Sequence, residues 1–157
     1  MTMRYIIKRK IYWTKEFDSS HFLELEYESK CKRIHGHTYK VEVEIEGELN
    51  EEGMIFDFTH LSEIVKELDH RLIVSKEWVK EVGDLVIIEK NRKILKVPRD
   101  EVVIIDKPNV TAEYLAEWFG ERIAENAGSN IKKIKVRIWE DPRSYAEVTF
   151  TLEPQGS

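Results

Sequence analysis

The sequence predicts an α+β fold in which two helices cover one face of an antiparallel sheet. Three observations predict it. Stretches near both ends of the chain alternate apolar and polar residues with a period of two, and two stretches between them carry apolar stripes with helical spacing. The order is strand, strand, helix, helix, strand, strand, which is typical of α+β proteins. Such regular alternation indicates one buried and one solvated face, as in antiparallel sheets.

Alternation in residues 11–17 and 37–45 predicts the first two strands. Their apolar positions are Ile11, Trp13, Phe17, Tyr39, Val41, Val43 and Ile45. His21 continues the parity of the first strand if the chain stays extended. His35 and His37 share the apolar parity of the second strand, so we expect both on the covered side of the sheet.

Two helices are predicted after the first strand pair. Asp57 is a suitable N-cap for a helix over residues 58–68, and Thr111 for a helix that continues to about Ala127. Their apolar stripes are Phe58, Leu61, Ile64, Val65 and Leu68 in the first helix, and Leu115, Trp118, Phe119 and Ile123 in the second. Each stripe lies on one side of its helix and is expected to face the sheet.

The remaining segments complete the prediction. Residues 134–138 and 146–152 alternate again and predict the last two strands. Shorter strand pieces are predicted at Leu85–Glu89, Lys93–Val97 and Val102–Ile105. With a turn at Asn91, we interpret these pieces as an inserted hairpin within residues 76–108. At this length, the chain is expected to form a single domain, residues 1–157.

Composition excludes several classes of function. The net charge is −5 with both signs interspersed, so no basic surface for nucleic acid is predicted. No apolar run approaches the ~20 residues of a membrane span, and the first residues do not resemble a signal peptide. A single cysteine cannot form an internal disulfide, so a reducing, cytoplasmic location is expected.

A pair of histidines predicts a metal site. His35 and His37 are two residues apart, so in a strand both rings project from one face, close enough to bind one cation. With a third nitrogen, for which His21 is the best candidate, one coordination position would remain open, as in catalytic zinc sites. The alternative is that His-x-His arises by chance and these are ordinary surface or core histidines.

The single cysteine has three possible roles. Cys31 lies four residues before His35, beside Lys30, Lys32 and Arg33, and these cations favour a thiolate. As a fourth ligand it would close the metal site, whereas as a base or nucleophile it would need a nearby cation or imidazole. The third alternative is a small buried side chain without chemistry.

Three acidic positions complete the candidates. Asp69 and His70 end the first predicted helix, where the carboxylate can orient the imidazole, although solvated helix ends often look the same. Glu140 continues the buried parity of residues 134–138, so it must either find a partner or ligand, such as a planar pair of donors, or turn to solvent. Glu113 is interpreted as a first-turn acid that complements the helix dipole.

Together these segments resemble the 6-pyruvoyl-tetrahydropterin synthase superfamily, which includes the 6-carboxy-tetrahydropterin synthases. The resemblance covers residues 11–152. It depends on Phe17-Asp18-Ser19-Ser20-His21, Cys31-x3-His35-Gly36-His37, Leu68-Asp69-His70, Thr111-Ala112-Glu113 and Glu140, in matching order and spacing. The three-residue gap between Cys31 and His35 is similar to that of the 6-carboxy enzymes, since the pyruvoyl enzymes typically have a longer gap. The stretch 76–108 is longer than in compact bacterial members.

The resemblance implies a tunnelling fold, with a four-stranded antiparallel sheet and two helices on one face, to which this chain adds the hairpin. It also implies a homo-hexamer built as a dimer of trimers, with active sites at subunit interfaces. The implied roles are Zn²⁺ ligands for His21, His35 and His37, proton transfer for Cys31, Asp69 and His70, and substrate binding for Glu140, Glu113 and Thr111.

The implied reaction converts the small molecule 7,8-dihydroneopterin triphosphate to 6-carboxy-5,6,7,8-tetrahydropterin, with release of acetaldehyde and triphosphate, in the 7-deazaguanine (queuosine–archaeosine) pathway. One alternative is 6-pyruvoyl-tetrahydropterin formation by triphosphate elimination. A second is a non-enzymatic metal-binding barrel that uses His-x-His followed by Glu, but Glu42 has the opposite strand parity from His37. A third, a purely structural zinc domain, would be excluded by an open coordination position.

Overall fold

Two long antiparallel strands form the centre of the computed structural model, which describes residues 2–153. They belong to a six-stranded sheet. In the order in which they lie side by side, its strands are β7 (Val102–Ile105), β3 (Arg71–Ser75), β1 (Lys10–His21), β2 (His35–Gly47), β8 (Ile131–Asp141) and β9 (Ser144–Thr151). A separate three-stranded sheet consists of β4 (Val79–Val82), β5 (Leu85–Lys90) and β6 (Lys93–Pro98). The predicted α+β class is confirmed.

Two helices cover the same face of the large sheet. Helix α1 (Phe58–Leu68) packs on β1 and β3, and helix α2 (Ala112–Ala124) packs on β8 and β9. The predicted caps are present, since the Asp57 side chain accepts from Thr59 N and Thr111 accepts from Tyr114 N. Helix α2 ends three residues before the predicted position because the chain tightens after Ala124 into hydrogen bonds between residues three apart.

The large sheet has six strands where the sequence predicted four. The four predicted strands are β1, β2, β8 and β9, and their antiparallel pairing is as expected. Two short strands, β3 and β7, extend the sheet in parallel orientation beyond β1. Strand β7 was predicted as part of the insertion, but it leaves the hairpin and pairs with β3. Parallel strands are buried on both faces and lack alternation, so the pattern did not reveal β3.

The core lies between the helices and the sheet, and it includes part of the insertion. Val86 and Ile88 of β5 are fully buried in the same apolar cluster as the central strands. Trp78, just before β4, stacks on Phe22 at 5.0 Å between ring centroids. The insertion therefore packs against the segment that immediately follows His21. Within residues 2–153, no helix is long and apolar enough to cross a membrane.

Candidate metal centre and adjoining pockets

The register of β1 and β2 brings three histidines together. His21 is opposite His35, and His37 is opposite Ser19 one step along the ladder. All three have the parity of the helix-covered face, as predicted for the pair in β2. Their ligand nitrogens all lie within 4.8 Å of one another. Because both strands hold regular pairing up to these positions, the cluster is fixed by backbone hydrogen bonds rather than by a loop.

Hydrogen bonds fix which ring nitrogens are free. His21 Nδ1 lies 2.9 Å from the carbonyl of Val110, and His35 Nδ1 lies 2.6 Å from the carbonyl of Arg33. A carbonyl can only accept, so each Nδ1 carries the proton and each Nε2 has a free lone pair. The two Nε2 atoms are 3.1 Å apart. Two lone pairs at this distance repel each other unless a cation lies between them.

A ring nitrogen of the third histidine is also buried. Among residues 2–153, no group hydrogen-bonds to the buried Nε2 of His37. Burial, reinforced by the other two imidazoles, lowers the pKa of His21 to about 4, and burial likewise lowers the pKa of His37. Both rings are therefore neutral at physiological pH, which is the form that binds metals.

These residues fit a zinc ion. Zn–N bonds of about 2.0–2.1 Å in a tetrahedron separate ligand nitrogens by about 3.3 Å, close to the spacing of the two Nε2 atoms. Within the part of the chain that is described, Cys31 does not belong to the histidine group. One chain could thus offer three nitrogen ligands, and a tetrahedral ion held by them would keep one coordination position open.

A buried tyrosine contacts the histidine cluster. The Tyr39 hydroxyl lies 3.2 Å from His21 Nδ1, and its ring stacks on Phe17 at 5.1 Å between centroids. Burial raises the pKa of Tyr39, so the hydroxyl stays protonated. The sequence pattern did not predict this contact, although Tyr39 follows His37 with the same strand parity. Outer groups of this kind orient metal-binding imidazoles.

Asp69 and His70 form an oriented pair at the end of α1. Asp69 Oδ1 accepts from the backbone N–H of Asp18 at 3.0 Å and lies 3.0 Å from His70 Nδ1. These hydrogen bonds lower the pKa of Asp69, with the backbone contact the largest cause. His70 has a left-handed φ of 61°, and its backbone N–H donates to the carbonyl of Asp18. A non-glycine residue held in this conformation is fixed by its surroundings, as is common at functional sites.

His70 and His37 border one cavity of about 560 Å³. Thr38, which also lines it, donates from Oγ1 to Asp18 Oδ1 at 2.6 Å. Asp18 therefore links the second strand to the Asp69–His70 pair, a role that its place in the Phe17–His21 motif did not reveal. Asp18, Asp69 and His70 also form a compact group of possible ligands. One oxygen of each carboxylate already accepts an internal hydrogen bond, so we regard the group as an orienting network.

Cys31 lies apart from that cavity. It occupies a short 3₁₀ turn (Lys30–Lys32), with its N–H donating to Ser29 Oγ at 3.1 Å and its carbonyl accepting from Leu23 N at 2.8 Å. The side chain is half-buried. Among the described residues of one chain, the cavity that contains His70 is not lined by Cys31. The three residues predicted for proton transfer are thus not gathered in a single pocket of one chain.

Glu140 stands between two further cavities. One, of about 490 Å³, is shared with His37 and Trp139, and the other, of about 300 Å³, with Glu113 and Tyr145. Burial raises the pKa of Glu140, and the nearby charge of Glu113 adds to the effect. A half-buried carboxylate beside aromatic rings is suited to a planar, nitrogen-rich ligand.

The other two residues predicted to bind substrate lie at the start of α2. Thr111 uses its side chain as the helix cap, accepting from Tyr114 N at 3.2 Å. Glu113 is exposed in the first turn of the helix and faces the smaller cavity beside Glu140. The first-turn position agrees with its expected interaction with the helix dipole.

Known proteins resemble this chain over almost its whole length. A protein from Pyrococcus abyssi, provisionally named 6-carboxy-5,6,7,8-tetrahydropterin synthase, is 74% identical over 151 residues and covers 96% of each chain. The dihydroneopterin monophosphate aldolase of Pyrococcus furiosus is 30% identical over 138 residues, covering 85% of this chain and 91% of its own.

Solved structures share the fold. The 6-pyruvoyl tetrahydropterin synthase of Plasmodium vivax superposes with a TM-score of 0.75 at 20% identity, covering 94% of this chain and all of its own. The sequence profile of the 6-pyruvoyl tetrahydropterin synthase family matches residues 10–150. The chain therefore belongs to the 6-pyruvoyl tetrahydropterin synthase family.

Proposed function

We propose that this chain is a zinc-dependent 6-carboxy-5,6,7,8-tetrahydropterin synthase that acts on 7,8-dihydroneopterin triphosphate. The observation that carries the proposal is the convergence of three free imidazole nitrogens beside the pocket of Glu140. His37 borders both the pocket of Glu140 and the cavity of His70, so a substrate bound at the metal would have access to the two cavities. The name of the relative at 74% identity supports this product.

Substrate binding begins at Glu140. Its carboxylate, held next to Trp139, would accept two hydrogen bonds from the amino and ring N–H groups of the pyrimidinone edge. The raised pKa of Glu140 reflects a carboxylate that lacks compensating donors, which the bound pterin would supply. Its position next to His37 would direct the side chain of the substrate toward the histidine cluster. Glu113 and Thr111 are proposed to border the same substrate site.

His21, His35 and His37 would hold the zinc ion. When bound, zinc supplies Lewis acidity that lowers the pKa of hydroxyl groups on the substrate side chain. The carbonyls of Val110 and Arg33 hold two of the imidazoles in the tautomer that leaves Nε2 free. Burial of His21 and His37 keeps protons from competing for these nitrogens at neutral pH.

Cys31 and His70 would transfer the protons. Asp69 holds His70 Nδ1, which leaves Nε2 of the imidazole as the acid or base. Cys31 would act as the second group from its 3₁₀ turn at Lys30–Lys32. Because these groups do not line one cavity of a single chain, we propose that a dimer of trimers completes the site. Light scattering that gives a monomer under assay conditions would contradict this assembly.

The product of the reaction has two candidates within the family. The three-residue gap between Cys31 and His35 favours the 6-carboxy product, as does the relative from Pyrococcus abyssi. We propose that the enzyme serves 7-deazaguanine synthesis in the cytoplasm. Incubation with 7,8-dihydroneopterin triphosphate should give 6-carboxytetrahydropterin on chromatography. A 6-pyruvoyl product would support the alternative, and absence of any pterin product would favour a non-enzymatic metal-binding protein.

A further inference from the structure

We infer that a basic cavity next to the histidine cluster binds the phosphate chain of the substrate. This inference rests on the proposed function. The cavity, of about 990 Å³, lies between the loop at residues 24–34 and the hairpin turn at residues 91–93. Its cations are Lys30, Lys32, Arg33, Arg92 and Lys93. Glu140 and His70 do not line this cavity.

The cavity is strongly cationic in a chain that is acidic as a whole. Its five cations face two carboxylates, Glu24 and Glu28, whereas the whole chain has a net charge of −5. Glu24 already accepts a hydrogen bond from the side chain of Asn91, and the fully exposed Glu28 lies 3.9 Å from Lys32. Within residues 2–153, the two carboxylates of the cavity leave three of its five positive charges without a balancing negative charge in the lining, and this excess suits an anion with several charges.

The turn of the inserted hairpin contacts the loop at residues 24–34 and the residue Phe22 before it. Asn91, with a left-handed φ of 57°, makes the turn and reaches Glu24. Lys93 Nζ lies 4.6 Å from the ring centroid of Phe22, the residue after His21. Phe22 is fully buried, so this contact places the hairpin cations at a defined position. The insertion thus contributes charge next to the candidate metal centre.

The cavity adjoins the metal centre along the chain. The carbonyl of Arg33 accepts from His35 Nδ1, so one residue both orients a ligand and lines the cavity. Glu140 meets the cluster at His37 instead. A substrate with its ring at Glu140 and its side chain at the histidines would extend its phosphates toward Arg33. The volume and the number of cations match a chain of phosphates better than a single one.

Binding of inorganic tripolyphosphate to the full chain, measured by calorimetry, tests this site. We expect Arg92→Gln combined with Lys93→Gln to weaken binding about 10- to 100-fold, since two charge-assisted hydrogen bonds to the anion are lost and each is partly screened by solvent. The matched control, Lys80→Gln with Lys96→Gln, removes the same charge from exposed positions of the same small sheet, and should change Kd less than twofold. Both double variants keep the histidines, so any tripolyphosphate bound to a metal at the histidine cluster contributes equally to the two measured affinities.

Equal weakening in both double variants would mean non-specific attraction and would overturn the inference, as would unchanged binding in both. Arg92→Gln alone serves as a check, because Arg92 is exposed at the turn and its loss cannot disturb the core. A selective loss of tripolyphosphate binding without any pterin product would keep the anion site and refute the proposed function. Normal kcat/KM for the triphosphate substrate in the Arg92–Lys93 variant would refute the site and keep the function.

Discussion

The protonation of three imidazoles controls what the histidine cluster can bind. His21 and His35 present lone pairs to each other at 3.1 Å, and the buried Nε2 of His37 has no hydrogen-bond partner in residues 2–153. Parity along two regular strands was sufficient to predict that these residues share one face. The position of Cys31 was not predictable in the same way, because a loop has no period that relates residue number to direction.

We expect about one zinc per chain by elemental analysis of protein purified without chelator. His35→Ala combined with His37→Ala should reduce zinc to background because only one imidazole of the three remains. Circular dichroism of the variant serves as the folding control. Zinc retained at the wild-type ratio in a folded variant would refute the proposed ligand set.

Cys31→Ala should lower turnover by about 10²–10⁴-fold, the usual contribution of a positioned acid or base. Zinc content and thermal stability should stay close to wild type, because the half-buried side chain lies outside the histidine group. Steady-state kinetics with the triphosphate substrate, alongside zinc analysis, measure both. Activity near the wild-type level would exclude Cys31 from proton transfer.

Glu140→Gln should weaken substrate binding about 10- to 100-fold, because a charge-assisted pair is lost. In the wild type, kcat/KM should decrease as the pH is lowered and Glu140 becomes protonated. Because the pKa of Glu140 is raised, the midpoint of this decrease should lie above the pKa of an ordinary glutamate. The variant should lack this fall. Its pH profile, compared with that of wild type, is the measurement, and an identical acidic limb in both would contradict the assignment.

The same shift has a consequence for stability. A raised pKa means that the folded chain binds the Glu140 proton more tightly than the unfolded chain does. Protonation of Glu140 therefore stabilises the folded state fully below the unfolded-state pKa, and this stabilisation is lost as the pH rises through the folded-state pKa. Ionised Glu140 is therefore unfavourable for the folded, unliganded protein at neutral pH. Glu140→Gln should accordingly raise the melting temperature at neutral pH while it impairs binding, as expected when a side chain is kept for function.

At the scale of elements, alternation and helix caps predicted both helices and all four long strands. Asp57 and Thr111 cap the helices at the expected residues. The short parallel strands β3 and β7 could not be predicted from pattern, because each has five or fewer residues and lacks a solvated face. Their pairing places Arg71, and with it the Asp69–His70 pair, beside Ser19 of β1.

The contact between α2 and β9 gives a test of this packing. A Cβ built on Gly120 would lie 2.1 Å from Cε1 of Phe150. Gly120→Ala should therefore reduce the free energy of unfolding by about 1–3 kcal/mol, the usual cost of overpacking. Helix propensity alone predicts the opposite, a gain of about 1 kcal/mol. Urea unfolding measures the sign of the change in the free energy of unfolding. Adding Phe150→Leu to Gly120→Ala should recover part of the loss. If Gly120→Ala alone stabilises the protein, the helix is not this close to β9.

At the scale of the whole molecule, the insertion distinguishes this chain from a minimal four-stranded and two-helix unit. Its small sheet buries Val86 and Ile88 in the common core and positions its turn over the loop that precedes His35. The sequence predicted an insertion but not its place, because only the folded chain shows that residues 91–93 meet residues 24–34. Two cavities meet at His37, one of them lined by Glu140, and the cationic cavity is lined by the loop that leads into His35.

We propose that this arrangement cleaves a carbon–carbon bond of the substrate side chain and also expels the phosphate chain. The most direct measurement is the ratio of acetaldehyde to triphosphate released from 7,8-dihydroneopterin triphosphate by the zinc-loaded protein. We predict about one acetaldehyde per triphosphate, and neither product from the His35→Ala, His37→Ala variant. Triphosphate released without acetaldehyde would contradict the claim.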